Sequence, residues 1–406
     1  LKSASIIDRL PPNRGGNKSA LSHASLKSLI LDAARLRLIL LSLAMGLAGA
    51  AIMPVMSTHL AVNLHIEPMW IGVLFAANTL SGVLVSHWLA KQSDAGLSRI
   101  GIIRVCVSIS FVASIGLGLA EQYWLLLITG MLMFGAVSPV QPQLFALARE
   151  QVGDADATLF QSLLRATFSL SWIIGPPLAY LLFARIGFLG LTLICALIFL
   201  LTRLNVASIQ DAPLPAVRTE PQPTDSRLKW MILAIAATFA SNNMYIVYMP
   251  IYSYDSLQLA AVVPGFLMGA AAGLEIPIMI GAGIFAGRWR LFSPLKLAAG
   301  CGLLFYLGVY WSDSLVPLVL LQIFNGAFIG VMAGLGISVF QALMQGRMGM
   351  ASTLYSNAIK VGSLVGALLG GAVAQWLSIQ AVFGVCALMA LVALLALVKA
   401  SAGNRS

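Results

Sequence analysis

Long apolar stretches alternate along this chain with short breaks that hold its charges, prolines and glycines. Twelve stretches stand out, near 38–60, 69–90, 100–120, 123–148, 158–183 and 187–204 in the first half, and 230–254, 262–286, 294–311, 315–344, 351–375 and 379–399 in the second. Each is close to the roughly 20 apolar residues that cross roughly 30 Å of hydrocarbon as a helix. In lipid the backbone must satisfy its own hydrogen bonds, so unbroken apolar runs of this length predict helices rather than isolated strands. The longest break, 205–229, carries Asp211-Ala-Pro-Leu-Pro and Thr219-Glu-Pro-Gln-Pro and reads as a linker. The expected organisation is a polar tail over 1–36, a six-helix bundle over 37–204, the cytoplasmic linker 205–229, a second six-helix bundle over 230–399 and a short tail over 400–406. No methionine precedes Met45, inside the first apolar run, so residues 1–36 are read as a disordered or non-native segment that does not shape the fold.

Composition sharpens this picture. The 406 residues are 59% hydrophobic and 9% charged, with a mean hydropathy of +0.92. Soluble domains carry roughly 25% charged residues, so an all-α integral membrane protein is expected. The net charge of +10 is spread along the chain and forms no nucleic-acid patch. Its distribution orients the helices instead. Alternate connections hold Lys91, Arg99, Arg149, Arg218, Arg227, Lys229, Arg288, Arg290, Lys296 and Arg347, while the opposite set holds Arg185 as its cation beside Glu67, Glu121, Asp255 and Asp313. Cytoplasmic loops concentrate Lys and Arg, so the first set and both termini are expected in the cytoplasm. Cys106, Cys195, Cys301 and Cys386 all fall in apolar runs and read as small buried hydrophobes.

The halves also repeat one another. Met53-Pro-Val-Met-Ser57 lies opposite Met249-Pro-Ile-Tyr-Ser253, and Gly72-Val-Leu opposite Gly265-Phe-Leu. Thr158-Leu-Phe with Arg165 and Gly175 matches Thr353-Leu-Tyr with Lys360 and Gly370 at one spacing, and Cys106 matches Cys301. Two parallel six-helix repeats describe a major-facilitator architecture, whose site lies between the halves at mid-membrane.

Four segments carry a more specific likeness: Trp88-Leu-Ala-Lys-Gln-Ser-Asp94, Pro142-Gln-Leu-Phe-Ala-Leu-Ala-Arg-Glu150, Trp172-Ile-Ile-Gly-Pro-Pro-Leu-Ala179 and Gly265-Phe-Leu-Met-Gly-Ala-Ala-Ala-Gly-Leu-Glu-Ile-Pro277. With them the chain resembles the bacterial sugar efflux transporters of the major facilitator superfamily over about 40–399. The resemblance implies export of sugars or sugar analogues across the bacterial inner membrane, in exchange for protons. The superfamily's loop motif between the second and third helices, G-x-L-x-D-R-x-G-R-R, survives in part: Asp94 and Arg99 are kept, the second Gly is moved to Gly96 and the first is lost. Asp94 and Arg99 are thereby implied as a cytoplasmic charge latch. Gly175-Pro176-Pro177 resembles the Gly-Pro element of the superfamily's exporters, and such a kinked, closely packed helix suits a pivot.

Polar residues inside the apolar runs point to a lined cavity. A charge at mid-bilayer costs roughly 2.5–3.5 kcal/mol on insertion scales and seeks a partner or water. Arg165 belongs to a stripe with Thr158, Gln161, Ser169 and Trp172, and Lys360 to one with Thr353, Ser356, Asn357 and Ser363. Spacings of three and four place each stripe on one helical face. Glu275 lies deeper, among Gly269, Ala272, Gly273 and Pro277, and is expected to bind and release the driving proton, because apolar surroundings favour a protonated carboxyl. Its alternatives are a structural pair with Arg165 or Lys360, or an acceptor for a sugar hydroxyl. Asn242, Tyr245, Tyr248 and Tyr252 follow helical spacing on the seventh run, and Asn78, Gln141, Gln143, Gln322 and Asn325 add neutral polar groups elsewhere. Amides and phenols suit hydroxyls and ring faces, so this set favours a neutral polyhydroxyl substrate. No GxxxxGK[ST], HExxH or GxSxG motif occurs, so neither an ATP-driven pump nor an enzyme is expected, and no cofactor or metal. The expected partners are a small sugar, protons and the bilayer, with the protein monomeric. A multidrug exporter and a carrier of phosphorylated anions are the alternatives of the same fold.

Overall fold

The computed structural model describes residues 33–152, 154–206, 225–285, 291–344 and 348–402. The tail read over 1–36 and the linker read over 205–229 therefore lie largely outside the described residues. Within them the chain is helical, without strands: α1 Ala33–Thr58, α2 Pro68–Asp94, α3 Arg99–Leu119, α4 Tyr123–Val137, α5 Val140–Val152, α6 Asp154–Val206, α7 Arg227–Ile251, α8 Val263–Phe285, α9 Ser293–Trp311, α10 Leu315–Leu343, α11 Met348–Trp376 and α12 Ile379–Ala402. Local chemistry sets several ends. Pro68 opens α2 at a position where its missing N–H is not needed, and the Ser98 hydroxyl accepts from the Gly101 amide at 2.9 Å to cap α3. Pro139 separates α4 from α5 within one crossing, Tyr123–Ala148. Before α7, burial disfavours the charged form of Asp225, but the Arg227 guanidinium and backbone N–H outweigh it and hold the carboxyl below its ordinary range.

Among the described residues, eleven helices are long and apolar enough to cross a membrane, and one of them, Leu163–Val206, is 44 residues long. At 1.5 Å per residue it would reach roughly 66 Å, twice the hydrocarbon thickness. It is two crossings joined at Gly187, whose φ of 71° and ψ of −176° break the helix. Neighbours prove the reversal. Residues 164, 171, 175 and 180 meet 42, 43, 50 and 54 in turn, so the first limb runs parallel to α1. Thr192, Arg203 and Val206 meet Ser114, Ser108 and Arg104, so the second limb runs back, antiparallel to α3. Twelve crossings result, as the hydropathy pattern predicts. A backbone of this type is nearly restricted to glycine, so Gly187→Ala should destabilise the protein by roughly 1–3 kcal/mol. A lowered thermal unfolding midpoint in detergent checks this; an unchanged midpoint would mean that the turn relaxes.

The repeat is visible in the backbone. After α1 the chain makes a π turn, His59–Asn63, with Leu64 N–H donating to His59 O and Ile66 N–H to Leu60 O; His65 takes φ 51°. After α7 the π turn Tyr252–Ser256 has Leu257 donating to Tyr252 and Leu259 to Ser253, with Gln258 at φ 52°. The left-handed residues are 193 apart, whereas Pro54 and Pro250 are 196 apart. The whole turn repeats at 193, so the offset shifts between the proline and the turn, and the sequence pairs fall on nearly but not wholly one spacing.

Each half packs as helices around its own centre, and the halves meet along α2 against α11, α6 against α8 and α1 against α7. Large apolar side chains cover the outside, such as Val112, 66% exposed, and Ile284, 72% exposed. Such a surface suits lipid rather than water. Cys106, Cys195 and Cys386 are buried and Cys301 half-buried, all as free thiols.

Candidate functional site

The two halves touch closely at one end of the molecule. A Cβ on Gly72 of α2 would collide with the Ala367 carbonyl and lie 2.9 Å from Gly371 Cα of α11. The repeat-related Gly265 of α8 faces Pro176 of α6 in the same manner, its Cβ position 2.7 Å from the carbonyl oxygen, and Gly269 faces Pro177. Glycine lets these backbones approach where any side chain would hold them apart. Tyr248 locks the seam by donating to Pro68 O at 3.2 Å, and Tyr180 ties α6 to α1 at Pro54 O and Thr58. Gly175 rests on the Ala50 methyl, so Gly175, Pro176 and Pro177 lie where α1, α6 and α8 converge.

Away from this seam the halves separate. Arg165 lies eleven residues before Pro176, roughly 16 Å along the helix, and is exposed. On α11 Ser356 and Asn357 are exposed and Lys360 half-buried, so the predicted stripe faces open space. Trp172 and Ser169 on α6 are half-buried; nothing is described of the Thr158 and Gln161 side chains. Arg165 and Glu275 both act electrostatically on the buried Tyr355 hydroxyl, which donates to Ala333 O at 3.1 Å. The first limb of α6, α8 and α11 thus converge here from both halves. Glu275 is half-buried and packs its stem against Gly330 of α10. Arg165, Glu275 and Lys360 make no hydrogen bond or ion pair with a described residue.

Between the seam and the open region lies a cavity of about 200 Å³. Its polar lining comes from Asn78 and Thr79 of α2, Ser138, Asn243 of α7, and Lys360 and Ser363 of α11; Phe75 and Phe134 supply aromatic walls. Asn78 is 4% exposed and neither polar atom of its amide has a protein partner. Asn243 is 5% exposed and its Oδ1 is likewise unpartnered. Buried amides are normally hydrogen-bonded; both residues border the cavity, while the Asn78 amide itself lies against Gly130 of α4 within the first half.

Several residues expected at the site lie elsewhere. Tyr245, Gln322 and Asn325 form a network inside the second half: Tyr245 donates to Gln322 Oε1 at 3.4 Å, and Asn325 to the same oxygen at 3.1 Å. Phe305 and Tyr306 pack against Tyr245 there. Tyr248 belongs to the seam and Tyr252 bonds to Ser312 O. Gln143 is engaged at the turn after α2, where its Oε1 accepts from Arg99 at 2.9 Å and from Ser93 at 3.1 Å. Asp94 ends α2, and Gln141 and Asn242 are half-buried outside the cavity lining. Asn243 was the residue that spacing missed. The tyrosine spacing on α7 selects Asn242, and the double asparagine is the one sequence signal for its neighbour.

The Arg99 contacts yield a checkable consequence. Hydrogen bonds from a charged donor contribute about 1.5–3 kcal/mol, less where solvent screens them. Arg99→Ala should therefore lower the detergent melting midpoint. Gln143→Ala should then add only the loss of its neutral bond from Ser93, because the bond from Arg99 is already gone. Fully additive losses would show that the two side chains act independently.

Comparison with known proteins decides the family. The family model described as Major Facilitator Superfamily matches residues 38–317. Sugar efflux transporter A of Escherichia coli is 37% identical over 364 residues, covering 87% of this chain and 93% of that protein. The chain belongs to the sugar efflux transporter family of the major facilitator superfamily. Sugar efflux transporter B of Salmonella typhimurium is a further member, 36% identical, with 83% of this chain and 88% of that one covered. Solved transporters share the fold. The nucleoside transporter NupG superposes with a TM-score of 0.71 at 13% identity, covering 92% of this chain and 99% of that one. A bacterial homologue of the iron transporter ferroportin, in an inward-facing state, gives 0.69 at 19% identity, with 91% and 98% covered. These family members and fold neighbours are transporters rather than enzymes, and the cavity between the halves lies where major-facilitator proteins hold their substrates.

Proposed function

We propose that this protein exports sugars or sugar analogues across the bacterial cytoplasmic membrane, exchanging them for protons by alternating access. One observation carries the reading: a cavity of about 200 Å³ between the halves is bordered by Asn78 of the first and by Asn243 and Lys360 of the second. The names of the sugar efflux relatives supply the substrate class. Asn78, Asn243 and Lys360 would hold the substrate, with Arg165, Trp172 and Asn357 along its route of entry. Among the described residues the cations Lys91, Arg99, Arg227, Lys229 and Lys296 lie towards the open end and Glu67 and Asp255 at the closed seam, which supports a cytoplasmic open end. Both termini then lie in the cytoplasm. The cavity is thereby poised to load from inside, and export follows when the halves rock to part the glycine seam and close the Arg99 end. Glu275 would take up the counter-moving proton.

Inverted membrane vesicles test this directly. Labelled lactose, glucose or a thiogalactoside should accumulate when a proton gradient is imposed, and the accumulation should vanish with an uncoupler. Failure of all three to accumulate, with the protein present and monodisperse on extraction, would overturn the proposal.

A further inference from the structure

We infer that the central cavity prefers sugars carrying one acidic group, a carboxylate or a phosphate, over neutral ones. The inference rests on the transport reading above and narrows its substrate class. Of the residues that line the cavity, Lys360 is the charged one, and no carboxylate lines it. Lys360 also finds no counter-ion or acceptor among the described residues. A cation held in a membrane interior without a partner is costly, and a ligand anion removes that cost at the moment of binding.

The repeat doubles the argument. Arg165 occupies in the first half the position that Lys360 occupies in the second, 195 residues apart, and it too has no described partner. The mid-membrane charges singled out by the sequence are thus two cations and one carboxyl, Glu275, which pairs with neither. The surplus is one positive charge with Glu275 ionised and two with it protonated, the complement of a carboxylate or of a phosphate monoester.

The rest of the lining reads a sugar. Asn78, Asn243 and Ser363 border the cavity with two amides and a hydroxyl, while Thr79 already donates its hydroxyl to Phe75 O at 2.9 Å. An amide presents the paired donor and acceptor that vicinal hydroxyls require, and Phe75 and Phe134 offer faces for ring C–H groups. The neutral groups that pointed to an uncharged substrate, Tyr245, Gln322, Asn325 and Gln143, are committed to bonds elsewhere. With them removed from the lining, charge dominates recognition.

The test uses the purified full chain in proteoliposomes, with labelled lactose exchange as the reporter. Gluconate and glucose 6-phosphate should each inhibit at concentrations at least about tenfold below glucose, and the stronger of the two identifies the anion. Acetate and inorganic phosphate, which carry charge without a sugar, should inhibit weakly. Lys360→Gln should collapse the ratio between gluconate and glucose towards one, and Lys360→Arg should restore it. The wild-type competition stands without either variant, should one fail to fold. Lactose exchange that glucose inhibits as well as gluconate and glucose 6-phosphate do overturns the inference and leaves the exporter intact. Equal inhibition by acetate or phosphate overturns its sugar half. Absence of lactose exchange overturns the exporter reading itself and the inference with it.

Discussion

Gly72→Leu should cut net transport by roughly 5–150-fold while leaving the protein folded and in the membrane. A side chain at 72 meets the Ala367 carbonyl and Gly371 Cα, and both are backbone atoms of a helix that cannot turn aside. Overpacking of this kind costs about 1–3 kcal/mol, and it is felt solely when the seam is shut, so it shifts the two-state equilibrium by that 5–150-fold. The chain would be held with the seam parted. Gly265→Leu should act alike, since its Cβ would lie 2.7 Å from Pro176 O and 2.9 Å from Tyr180 Cδ2. Tyr248→Phe removes one hydrogen bond of 3.2 Å and should shift the balance far less, by about 0.5–1.5 kcal/mol. The readout is alkylation of an Asn78→Cys probe, in a background lacking the four native cysteines, by a membrane-impermeant maleimide applied at the seam end. Labelling should rise by about tenfold or more in the glycine variants. Unchanged labelling together with normal transport would show that the seam plays no part in the cycle.

Glu275→Gln should separate energy coupling from substrate exchange. The carboxamide keeps the shape that packs against Gly330 but offers no titratable group. Sugar accumulation driven by a pH jump should fall by about tenfold or more, to the level of de-energised vesicles, because nothing at that position can carry the proton. Exchange of labelled for unlabelled sugar should persist, since it needs the Asn78 cavity and the rocking of the halves but no net proton movement. Wild-type accumulation in the Gln variant would remove Glu275 from the proton route. Loss of both activities would instead assign it to the substrate site or to the packing of α8 on α10.

Part of the Lys360 stripe was legible in the sequence because a polar face in lipid has few places to go. Periodicity placed Ser356, Asn357, Lys360 and Ser363 on one side of a helix, and in the folded chain Lys360 and Ser363 border the cavity between the halves while Ser356 and Asn357 are exposed. The seventh helix defeated the same reasoning. Asn242, Tyr245, Tyr248 and Tyr252 share a spacing, yet Tyr245 turns into the second half's own core, Tyr248 crosses to the first half, and Asn243 lines the cavity. A helix inside a bundle has two inward directions, towards its own half and towards the other, and a hydropathy pattern does not distinguish them. Gln143 shows a second limit: its partner Arg99 lies 44 residues away, and no local pattern announces that contact.

By itself, then, the amino-acid sequence determined that this chain crosses a membrane twelve times, that its halves are copies, and that cations occupy matched depths in both. Those features follow from the cost of exposing backbone and charge to hydrocarbon, a cost written residue by residue. The tertiary structure alone decided which polar groups are spent on one another and which stay free. Lys360 borders a cavity without a partner because the halves are shut at the glycine seam and apart at the Arg165 level, and that is a property of how two bundles meet rather than of any single helix.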